Sequence, residues 1–311
     1  MQWVSNALII LSALLMPALS TAKDDPFVGR WNFNMTTPGG PRATWLGVTG
    51  KGGSPEIWFQ PTGGNVYQVK DFKLNGSHLT LNLSPAHGSD AALTWELDAK
   101  GDQLTGVQKR GENSFALVGV RAPELKRSTP KAWTTPEPLF NGKDLTGWEP
   151  IGDPAKSHWV VQDGLLVNLD HGANLKTKRK FQDLKLHFEV NGPDHANSGF
   201  YLRGRYEVQV EYEPLTSNPV ERRIGSIYGR ITPKVELPHK PGDWETFDVT
   251  LVGRTVTVVR NGTTIIDRQE IEGITGGALD ANESEPGPFY IQGDHTGGLK
   301  FRNITVAVPK S

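Results

Sequence analysis

The segment SGFYLRGRYEVQVE, residues 198–211, carries the pattern that decides the fold of the second half of the chain. Residues 206–212 are rich in valine and tyrosine and alternate polar with apolar side chains, which is typical of a β-strand with one buried face. Because side chains on a strand alternate between its two faces, Glu207, Gln209 and Glu211 share one face. The sequence therefore predicts a strand that packs on a core and presents two carboxyl groups and an amide on its other face.

Paired carboxyl groups are what enzymes that cleave glycosidic bonds use, one as an acid and the other as a base or nucleophile. Glu207 and Glu211 are four residues apart, so their backbones are separated by about 13 Å at a rise of about 3.3 Å per residue. They approach each other only if their side chains lean together. The strand alone therefore also fits an ordinary solvated sheet face.

The composition favours an all-β protein and narrows its function. The chain has 311 residues, a formal net charge of −1, 35 glycines, 22 prolines and no cysteine. This length is enough for two modest domains, and frequent short β-type runs with many turn residues favour strands over helices. The lack of cysteine excludes disulfides, thiolate ligands and a cysteine nucleophile. The near-neutral charge provides no general attraction to nucleic acid or to an anionic membrane.

The N-terminus is typical of an export signal. Residues 7–19 are apolar, and small residues precede a predicted cleavage point after Ala22. Residues 1–6 lack the lysine or arginine that usually begins such a signal. We expect residues 1–22 to be a signal peptide and the mature protein to be periplasmic or extracellular. No other segment is apolar enough to cross a bilayer.

We expect residues 23–121 to form a small antiparallel β domain. Short β-type runs, among them a predicted strand at residues 66–74, alternate with turn signals here, of which Asn75-Gly76 is the sharpest. About eight such strands fit an up-and-down barrel, and Gly-Arg-Trp at residues 29–31 resembles the opening of lipocalin-like barrels. A barrel this small is usually filled by its own side chains. Its sequence shows no catalytic constellation, so it is open whether it serves attachment or substrate delivery.

A proline-rich linker, residues 122–138, leads to a second domain, residues 139–309. About ten strands are predicted there, among them residues 159–168 and 226–228, with a tight Asn-Gly hairpin at 261–262. So many strands without long helical periodicity predict two packed sheets, a jelly-roll β-sandwich.

Motifs along the second domain identify a family resemblance. They are Phe140-Asn-Gly-Lys-Asp-Leu-Thr-Gly-Trp148, Trp159-Val-Val-Gln-Asp-Gly164, Asn197-Ser-Gly-Phe-Tyr-Leu-Arg203, Tyr206-Glu-Val-Gln-Val210, Gly225-Ser-Ile-Tyr-Gly229, Pro241-Gly-Asp-Trp-Glu245, Gln292-Gly-Asp-His-Thr-Gly-Gly298 and Phe301-Arg-Asn-Ile304. In this order they resemble the 3-keto-disaccharide hydrolase domain, formerly domain of unknown function 1080. The resemblance covers nearly all of the second domain and none of the first.

The resemblance implies a concanavalin-A-like jelly roll, exported in bacteria, that acts on glycosides already oxidised at carbon 3. The glycosidic bond is then cleaved by hydrolysis, or by elimination followed by addition of water. Such a reaction needs a base for the acidified carbon-2 proton, a group that stabilises the enolate oxygen, and an acid for the leaving group. A divalent cation could serve as the stabilising group.

The family motifs indicate catalytic roles for Glu207, Asp294 and His295. Glu207 is the first candidate for the base; the alternative is a structural carboxylate paired with Arg203. His295 lies in a predicted glycine-flanked turn, and histidine can act as acid or base near neutral pH. Asp294 could orient His295 or cap the turn. If a divalent metal ion is present, these three residues are its predicted ligands.

Four residues are predicted to bind substrate. Arg203 would hold a keto or enolate oxygen, or form a salt bridge. Gln209 would bond a sugar hydroxyl, and Tyr228 would donate to an oxygen. Trp244 would stack on a sugar ring, although tryptophan in a sandwich is more often part of the core.

Three functions remain open at this point, all with a glycoside or oligosaccharide as the partner and none with nucleic acid. The first is the 3-keto-glycoside enzyme. The second is a carbohydrate-binding module without catalysis, since a fold does not dictate function. The third is a conventional glycoside hydrolase, which needs two carboxyl groups about 5–5.5 Å or about 6.5–9.5 Å apart. The amide of Gln209 weighs against the third, because an amide cannot transfer protons as a carboxyl group does.

Overall fold

The structure is a computed structural model that describes residues 25–37, 40–51, 54–84 and 92–310. It is all-β, with a barrel-like sheet followed by a sandwich of two sheets, as the sequence predicts. The expected signal peptide, residues 1–22, lies outside the described residues, so export stays a prediction. Among the described residues, none of the helices has the length and hydropathy needed to cross a bilayer.

The first domain is a barrel-like antiparallel sheet with nine strands in its described part. They are β1 (Gly29–Thr37), β2 (Gly40–Lys51), β3 (Ser54–Gln60), β4 (Tyr67–Val69), β5 (Phe72–Asn75), β6 (His78–Leu83), β7 (Leu93–Lys100), β8 (Gln103–Arg110) and β9 (Asn113–Arg121). Their order in the sheet is β4-β3-β2-β1-β9-β8-β7-β6-β5. Each strand therefore pairs with a neighbour in sequence, and the pairing of β1 with β9 joins the two ends of the domain.

Aromatic side chains fill the interior of the barrel. The Trp95 ring lies between those of Phe33 and Phe59, with centroids 4.9 and 5.0 Å away in edge-to-face geometry. Trp31 is fully buried beside them in the same core. Rings packed in this way stabilise each other beyond the area that they bury. Side chains thus occupy the interior, as expected for a barrel of this size.

One strand predicted in this domain, residues 66–74, is two strands in the structure. The chain leaves β4 at one edge of the sheet and enters β5 at the other edge. Between them, the Asp71 carbonyl accepts a hydrogen bond of 2.9 Å from the Asn82 amide of β6. This bond continues the pairing of β5 with β6. Residues 70–71 thus carry the chain from one edge of the sheet to the other, as a nearly closed barrel requires.

The second domain contains the remaining strands. They are β10 (Glu137–Pro138), β11 (Trp148–Pro150), β12 (Trp159–Gln162), β13 (Leu165–Asn168), β14 (Leu175–Phe181), β15 (Leu184–Asn191), β16 (Asn197–Leu202), β17 (Tyr206–Glu211), β18 (Trp244–Val252), β19 (Thr255–Arg260), β20 (Thr263–Glu270), β21 (Gly287–Ile291) and β22 (Lys300–Ala307). The larger sheet has the order β12-β13-β22-β15-β18-β19-β20, with β10 also paired to β22. The smaller sheet has the order β11-β14-β21-β16-β17.

The core lies between these two sheets. Phe188 of the larger sheet stacks on Phe200 of the smaller sheet, with ring centroids 4.5 Å apart, and on Phe247 beside it, at 4.8 Å. Val208 and Val210 of β17 are fully buried in the same core. The apolar face predicted for β17 therefore packs inward, and its polar face is the outer face of the smaller sheet.

Besides the short strands β10 and β11, three details of the second domain differ from the predicted strands. Residues 159–168 form a hairpin rather than one strand, because Asp163 and Gly164 turn the chain with φ of 51° and 77°. Residues 226–228 form only an isolated bridge to β17. Strand β14, with the sequence LKTKRKF, was not predicted because its charged residues obscure the alternation.

The predicted linker lies along the second domain. The Glu124 carbonyl accepts a hydrogen bond of 3.1 Å from Arg254, and Arg127 pairs with Asp183 at 3.2 Å. The connection between the domains is therefore held by hydrogen bonds to the sandwich.

Replacement of Phe188 tests the inter-sheet core. Phe188→Ala should lower the free energy of unfolding by about 3–5 kcal/mol, because it leaves a cavity between two stacked rings. Denaturant unfolding measures this change. Leu169→Ala in the same domain is the control, since that side chain is 52% exposed and its loss should change stability by no more than about 0.5 kcal/mol. Equal losses in the two variants would contradict this description of the core.

Candidate functional site

Glu207 lies on β17, in the hairpin that β17 forms with β16. The register pairs Glu207 with Tyr201, and Gln209 with Gly199. A Cβ atom on Gly199 would lie 2.1 Å from Oε1 of Glu207, far inside any van der Waals contact. Glycine at this position therefore makes the space in which the carboxyl group sits.

A row of polar and aromatic side chains crosses the outer face of the smaller sheet. The strand registers align Glu207 with Tyr201, Tyr201 with Tyr290, Tyr290 with Lys176, and Lys176 with Glu149. Residues directly opposite each other in an antiparallel sheet project from the same face. One face thus carries a carboxyl group, two phenols and a lysine–glutamate ion pair of 3.3 Å.

Burial dominates the environment of Glu207, which is only 3% exposed. The Tyr201 hydroxyl donates a hydrogen bond of 2.7 Å to its Oε2 atom. Burial raises the pKa of Glu207 to about 8; the bond from Tyr201 opposes this rise, and the negative charge of Asp294 adds to it. A carboxyl group with such a pKa can take up and release a proton near neutral pH.

Three tyrosines surround this carboxyl group. The rings of Tyr201 and Tyr290 stack with centroids 3.9 Å apart, and burial raises the pKa of both phenols well above the ordinary value. Tyr228 is beside Glu207, since its backbone amide donates to the Glu207 carbonyl at 3.1 Å. Burial, followed by the charge of Glu207, raises the pKa of Tyr228 as well. All three phenols therefore remain protonated and can donate hydrogen bonds.

Two glutamines extend the polar surface next to this row. Nε2 of Gln292 donates to the Tyr201 hydroxyl at 3.1 Å, and Nε2 of Gln209 donates to Asn197 at 3.3 Å. Their Oε1 atoms are buried and have no hydrogen-bond partner among the described residues. A buried acceptor without a partner destabilises a protein by roughly 1–3 kcal/mol. Each amide oxygen is therefore an acceptor for which the described residues provide no donor.

Asp294 and His295 follow β21 in a turn that also contacts Asn174. His295 Nδ1 is 3.0 Å from Oδ1 of Asp294, and Asn174 donates to Oδ2 of Asp294 at 3.3 Å. Burial raises the pKa of Asp294, but the hydrogen bonds from His295 and Asn174 and the charge of His295 outweigh it and lower the pKa. Asp294 is thus an ionised partner that orients His295, and its charge reaches Glu207.

The three predicted metal donors do not form a ready set of ligands. Within the described ranges, no group of three or more His, Cys, Asp or Glu side chains is arranged to hold a metal ion. The carboxyl group of Glu207 already accepts a hydrogen bond from Tyr201. The carboxyl group of Asp294 is hydrogen-bonded to His295 and Asn174.

Arg203 lies apart from the site. Its guanidinium is fully buried and donates to Gln182 at 2.8 Å, to the Tyr206 hydroxyl at 3.1 Å and to the Gly253 carbonyl at 3.0 Å. These bonds hold the turn between β16 and β17 from inside the protein. This position does not support the predicted contact of Arg203 with a keto oxygen, nor the alternative of a pair with Glu207.

Trp244 and Glu211 also have other partners. Trp244 is on β18 of the larger sheet, with the Arg302 guanidinium 3.9 Å from its ring centroid. A sugar held at Glu207, on the smaller sheet, is therefore not where Trp244 stacks. The two carboxylate oxygens of Glu211 accept hydrogen bonds from the backbone amides of Glu213 and Ile224. Glu211 thus anchors the loop after β17.

The structure adds four residues to the predicted site: Tyr201, Lys176, Tyr290 and Gln292. Tyr201 and Gln292 lie within the family motifs, so the sequence alone could have indicated them. Lys176 and Tyr290 come close to the site only because their strands pair with β16 and with each other. Lys176 in particular lies on β14, a strand that the sequence did not predict.

Comparison with known proteins places the similarity in the second domain. The sequence profile of the family described as 3-keto-alpha-glucoside-1,2-lyase-like domain matches residues 135–307. Two solved structures from Parabacteroides distasonis ATCC 8503, described as candidate glycosyl hydrolases, are similar to it. One is 29% identical and covers 58% of this chain and 92% of its own, with a TM-score of 0.47. The other is 18% identical and covers 56% and 92%, with a TM-score of 0.46. No match was found among curated proteins.

The raised pKa of Glu207 predicts how stability depends on pH. Between about pH 4.5 and pH 8 the unfolded state has lost this proton while the folded state retains it, so stability falls as the pH rises through this range. The slope contributed by one proton is at most about 1.4 kcal/mol per pH unit. Glu207→Gln should remove this contribution, and urea unfolding at pH 5, 6.5 and 8 measures it. An unchanged pH dependence in the variant would mean that the carboxyl group ionises normally.

Proposed function

Because the chain belongs to the family of 3-keto-alpha-glucoside-1,2-lyase-like domains, we propose that it cleaves the glycosidic bond of 3-keto-glycosides. Membership supports a carbohydrate-active enzyme of the hydrolytic or lyase type. The observation that carries the specific reaction is Glu207, a buried carboxyl group whose pKa of about 8 suits a base at neutral pH. It sits among phenols and amides that suit a sugar.

The chemistry starts from the carbonyl group at carbon 3, which acidifies the proton on carbon 2. Glu207 takes this proton, and the carbon–hydrogen electron pair passes into an enolate that bears its charge on the carbon-3 oxygen. The enolate then expels the substituent at carbon 1, whose bonding electrons leave on the glycosidic oxygen. The products are an unsaturated keto sugar and an alcohol. Addition of water to carbon 1, with return of a proton to carbon 2, gives net hydrolysis.

Neighbouring groups suit the other steps. The protonated phenol of Tyr228 can donate a hydrogen bond to the enolate oxygen, and the Lys176 ammonium supplies positive charge on the same sheet face. His295, oriented by Asp294, can donate a proton to the leaving oxygen. The free amide oxygens of Gln209 and Gln292 can accept from sugar hydroxyls.

Elimination explains the site better than the mechanism of a conventional glycoside hydrolase does. A conventional glycoside hydrolase needs a second carboxyl group at a defined distance from the first. Glu211, the carboxyl group that shares the strand face with Glu207, is held by two backbone amides. Gln209 between them cannot act as an acid or a nucleophile.

A binding module without catalysis is the remaining candidate. Such a module usually presents aromatic rings as a platform for the sugar. Tyr201 and Tyr290 are the stacked rings of this face, but both are almost wholly buried and stack on each other. The raised pKa of Glu207 also has no use in simple binding. The raised pKa therefore favours the enzyme, and the burial of the two rings argues only against an aromatic platform.

We also propose that the enzyme is exported and meets its substrate in the periplasm or outside the cell, on the basis of the signal in residues 1–22. Mass spectrometry of the protein from a periplasmic fraction should show an N-terminus at Lys23. A chain that retains Met1 and stays in the cytoplasm would contradict export.

Product analysis tests the proposed reaction. Purified protein should cleave a synthetic 3-keto-glucoside and leave the unoxidised parent intact, with kcat/KM rising with pH towards a plateau above about pH 8, since the base must be ionised. Glu207→Gln should lower kcat by at least about 100-fold. An unsaturated keto product would indicate elimination. Loss of activity in the presence of a chelator would indicate that the reaction requires a metal ion. Binding without cleavage of either glucoside would establish the binding module instead.

His295 has a matched control in the same domain. His187 also faces an aspartate through Nδ1, at 2.8 Å from Asp248, but on the larger sheet. His295→Gln should lower kcat for a poor leaving group by about 100-fold, because the departing oxygen needs a proton, whereas His187→Gln should leave kcat unchanged. Similar rates for the two variants would remove His295 from the reaction.

A further inference from the structure

The connection between β20 and β21 lies against Glu207 and the two stacked tyrosines beside it. The Gly276 carbonyl is 2.7 Å from the Tyr201 hydroxyl, and the Gly277 carbonyl accepts a hydrogen bond of 2.6 Å from the Tyr290 hydroxyl. Thr275 Oγ1 accepts a hydrogen bond of 3.1 Å from the backbone amide of Glu207. Three consecutive residues of this connection thus hold the groups that set the position of the Glu207 carboxyl.

The same residues touch the barrel with their other side. The Gly277 amide donates a hydrogen bond of 3.0 Å to the carbonyl of Thr62, in the loop between β3 and β4. A Cβ atom on Gly276 would lie 2.3 Å from the carbonyl oxygen of Gly64. The two backbones are therefore in direct contact, with no side chain between them. In the next residue of this barrel loop, the Asn65 side chain lies against Gly229, next to Tyr228.

Trp45 of the barrel anchors this connection. Its side chain points away from the barrel core, is 2% exposed, and packs with Ile274, Ala278 and Ala281. The Arg230 guanidinium, which donates to the Ile274 carbonyl, covers the indole ring at 4.3 Å from its centroid. The connection therefore packs its apolar side chains on the barrel and directs its carbonyl groups to the tyrosines of the sandwich.

A second anchor is polar and wholly buried. Nδ2 of Asn32, on β1 of the barrel, donates to Glu283 at 2.8 Å and to the Ala281 carbonyl at 2.9 Å. Glu283 also accepts a hydrogen bond of 2.6 Å from the Tyr206 hydroxyl at the start of β17. The barrel is thus tied to both ends of the segment 273–283 and to the strand that carries Glu207.

We propose that the barrel is a positioning element of the catalytic site: through Trp45 and the loop at Thr62–Asn65 it holds the segment 273–283, which in turn holds Tyr201 and Tyr290 against Glu207. This inference rests on the proposed function for its kinetic consequence. Trp45 is a positioning residue, because it acts through the segment 273–283, whose carbonyl groups contact Tyr201 and Tyr290. Displacement of a catalytic group by about 1 Å can lower a rate about 100-fold, so a loosened barrel contact should be visible in kcat.

Variants of Trp45 in the full-length chain test the proposal. Trp45→Ala should lower kcat on the 3-keto-glucoside more than about ten-fold while KM changes less than about three-fold. Trp45→Phe should restore kcat to within about three-fold, because the indole nitrogen has no hydrogen-bond partner to lose among the described residues. Trp58→Ala is the control, since that tryptophan is an exposed residue of the same barrel. A wild-type kcat in Trp45→Ala would overturn the proposal.

Hydrogen exchange gives a readout that needs no activity. Trp45→Ala should speed amide exchange in peptides covering residues 197–211 and 273–283, but not in β15 of the larger sheet. If the wild-type protein cleaves no keto-glucoside but this exchange pattern appears, the proposed reaction fails and the positioning role stands. If the protein is active and exchange in residues 197–211 is unchanged, the positioning role fails alone.

A second pair of variants covers the case in which Trp45→Ala does not fold. Gly276→Ala adds one methyl group that collides with Gly64 of the barrel, whereas Gly63→Ala in the same barrel loop meets no atom within 4 Å. Gly276→Ala should reproduce the loss in kcat and the faster exchange, and Gly63→Ala should match the wild type. Equal behaviour of these two variants would overturn the proposal.

Discussion

Strand β17 is buried along its whole length, although alternate side chains on it are polar. Glu207, Gln209 and Glu211 must therefore find hydrogen-bond partners inside the protein, because an unpaired buried polar group costs roughly 1–3 kcal/mol. A tyrosine hydroxyl, an asparagine and two backbone amides meet most of this demand. Close packing around these bonds explains Gly199, where any side chain would displace the carboxyl group of Glu207.

Burial and hydrogen bonding push apart the pKa values of the two carboxyl groups of the site, Glu207 and Asp294. Glu207 is enclosed and has one hydrogen-bond donor, so its pKa rises to about 8. Asp294 has hydrogen bonds from His295 and Asn174, which lower its pKa although burial opposes them. Titratable neighbours whose pKa values are pushed apart are typical of sites that run acid and base chemistry together. Glu207 and Asp294 are both carboxyl groups, so it is their environments that give them different proposed roles.

The two domains meet where this chemistry is arranged. The segment 273–283 donates and accepts hydrogen bonds with the sandwich and packs apolar side chains on the barrel. Strand β2 of the barrel packs on both domains. Leu46 points into the core of the barrel, and Trp45 is buried by the second domain. A small barrel filled with aromatic rings is a rigid support, and a rigid support suits a site that depends on accurate distances.

The sequence by itself determined the all-β class, the barrel-like first domain, the sandwich and the face of β17 that carries Glu207, because alternation and turn chemistry are local properties. Family motifs also indicated Asp294 and His295 as candidate site residues, which remains a prediction. Only the tertiary structure aligned Lys176, Tyr290 and Tyr201 with Glu207, since strand order and register depend on residues far apart in the chain. It also placed Arg203 in the interior and Trp244 on the other sheet. The contact of the barrel with the site has no local signal at all, because Gly64 and Gly276 meet through their backbones.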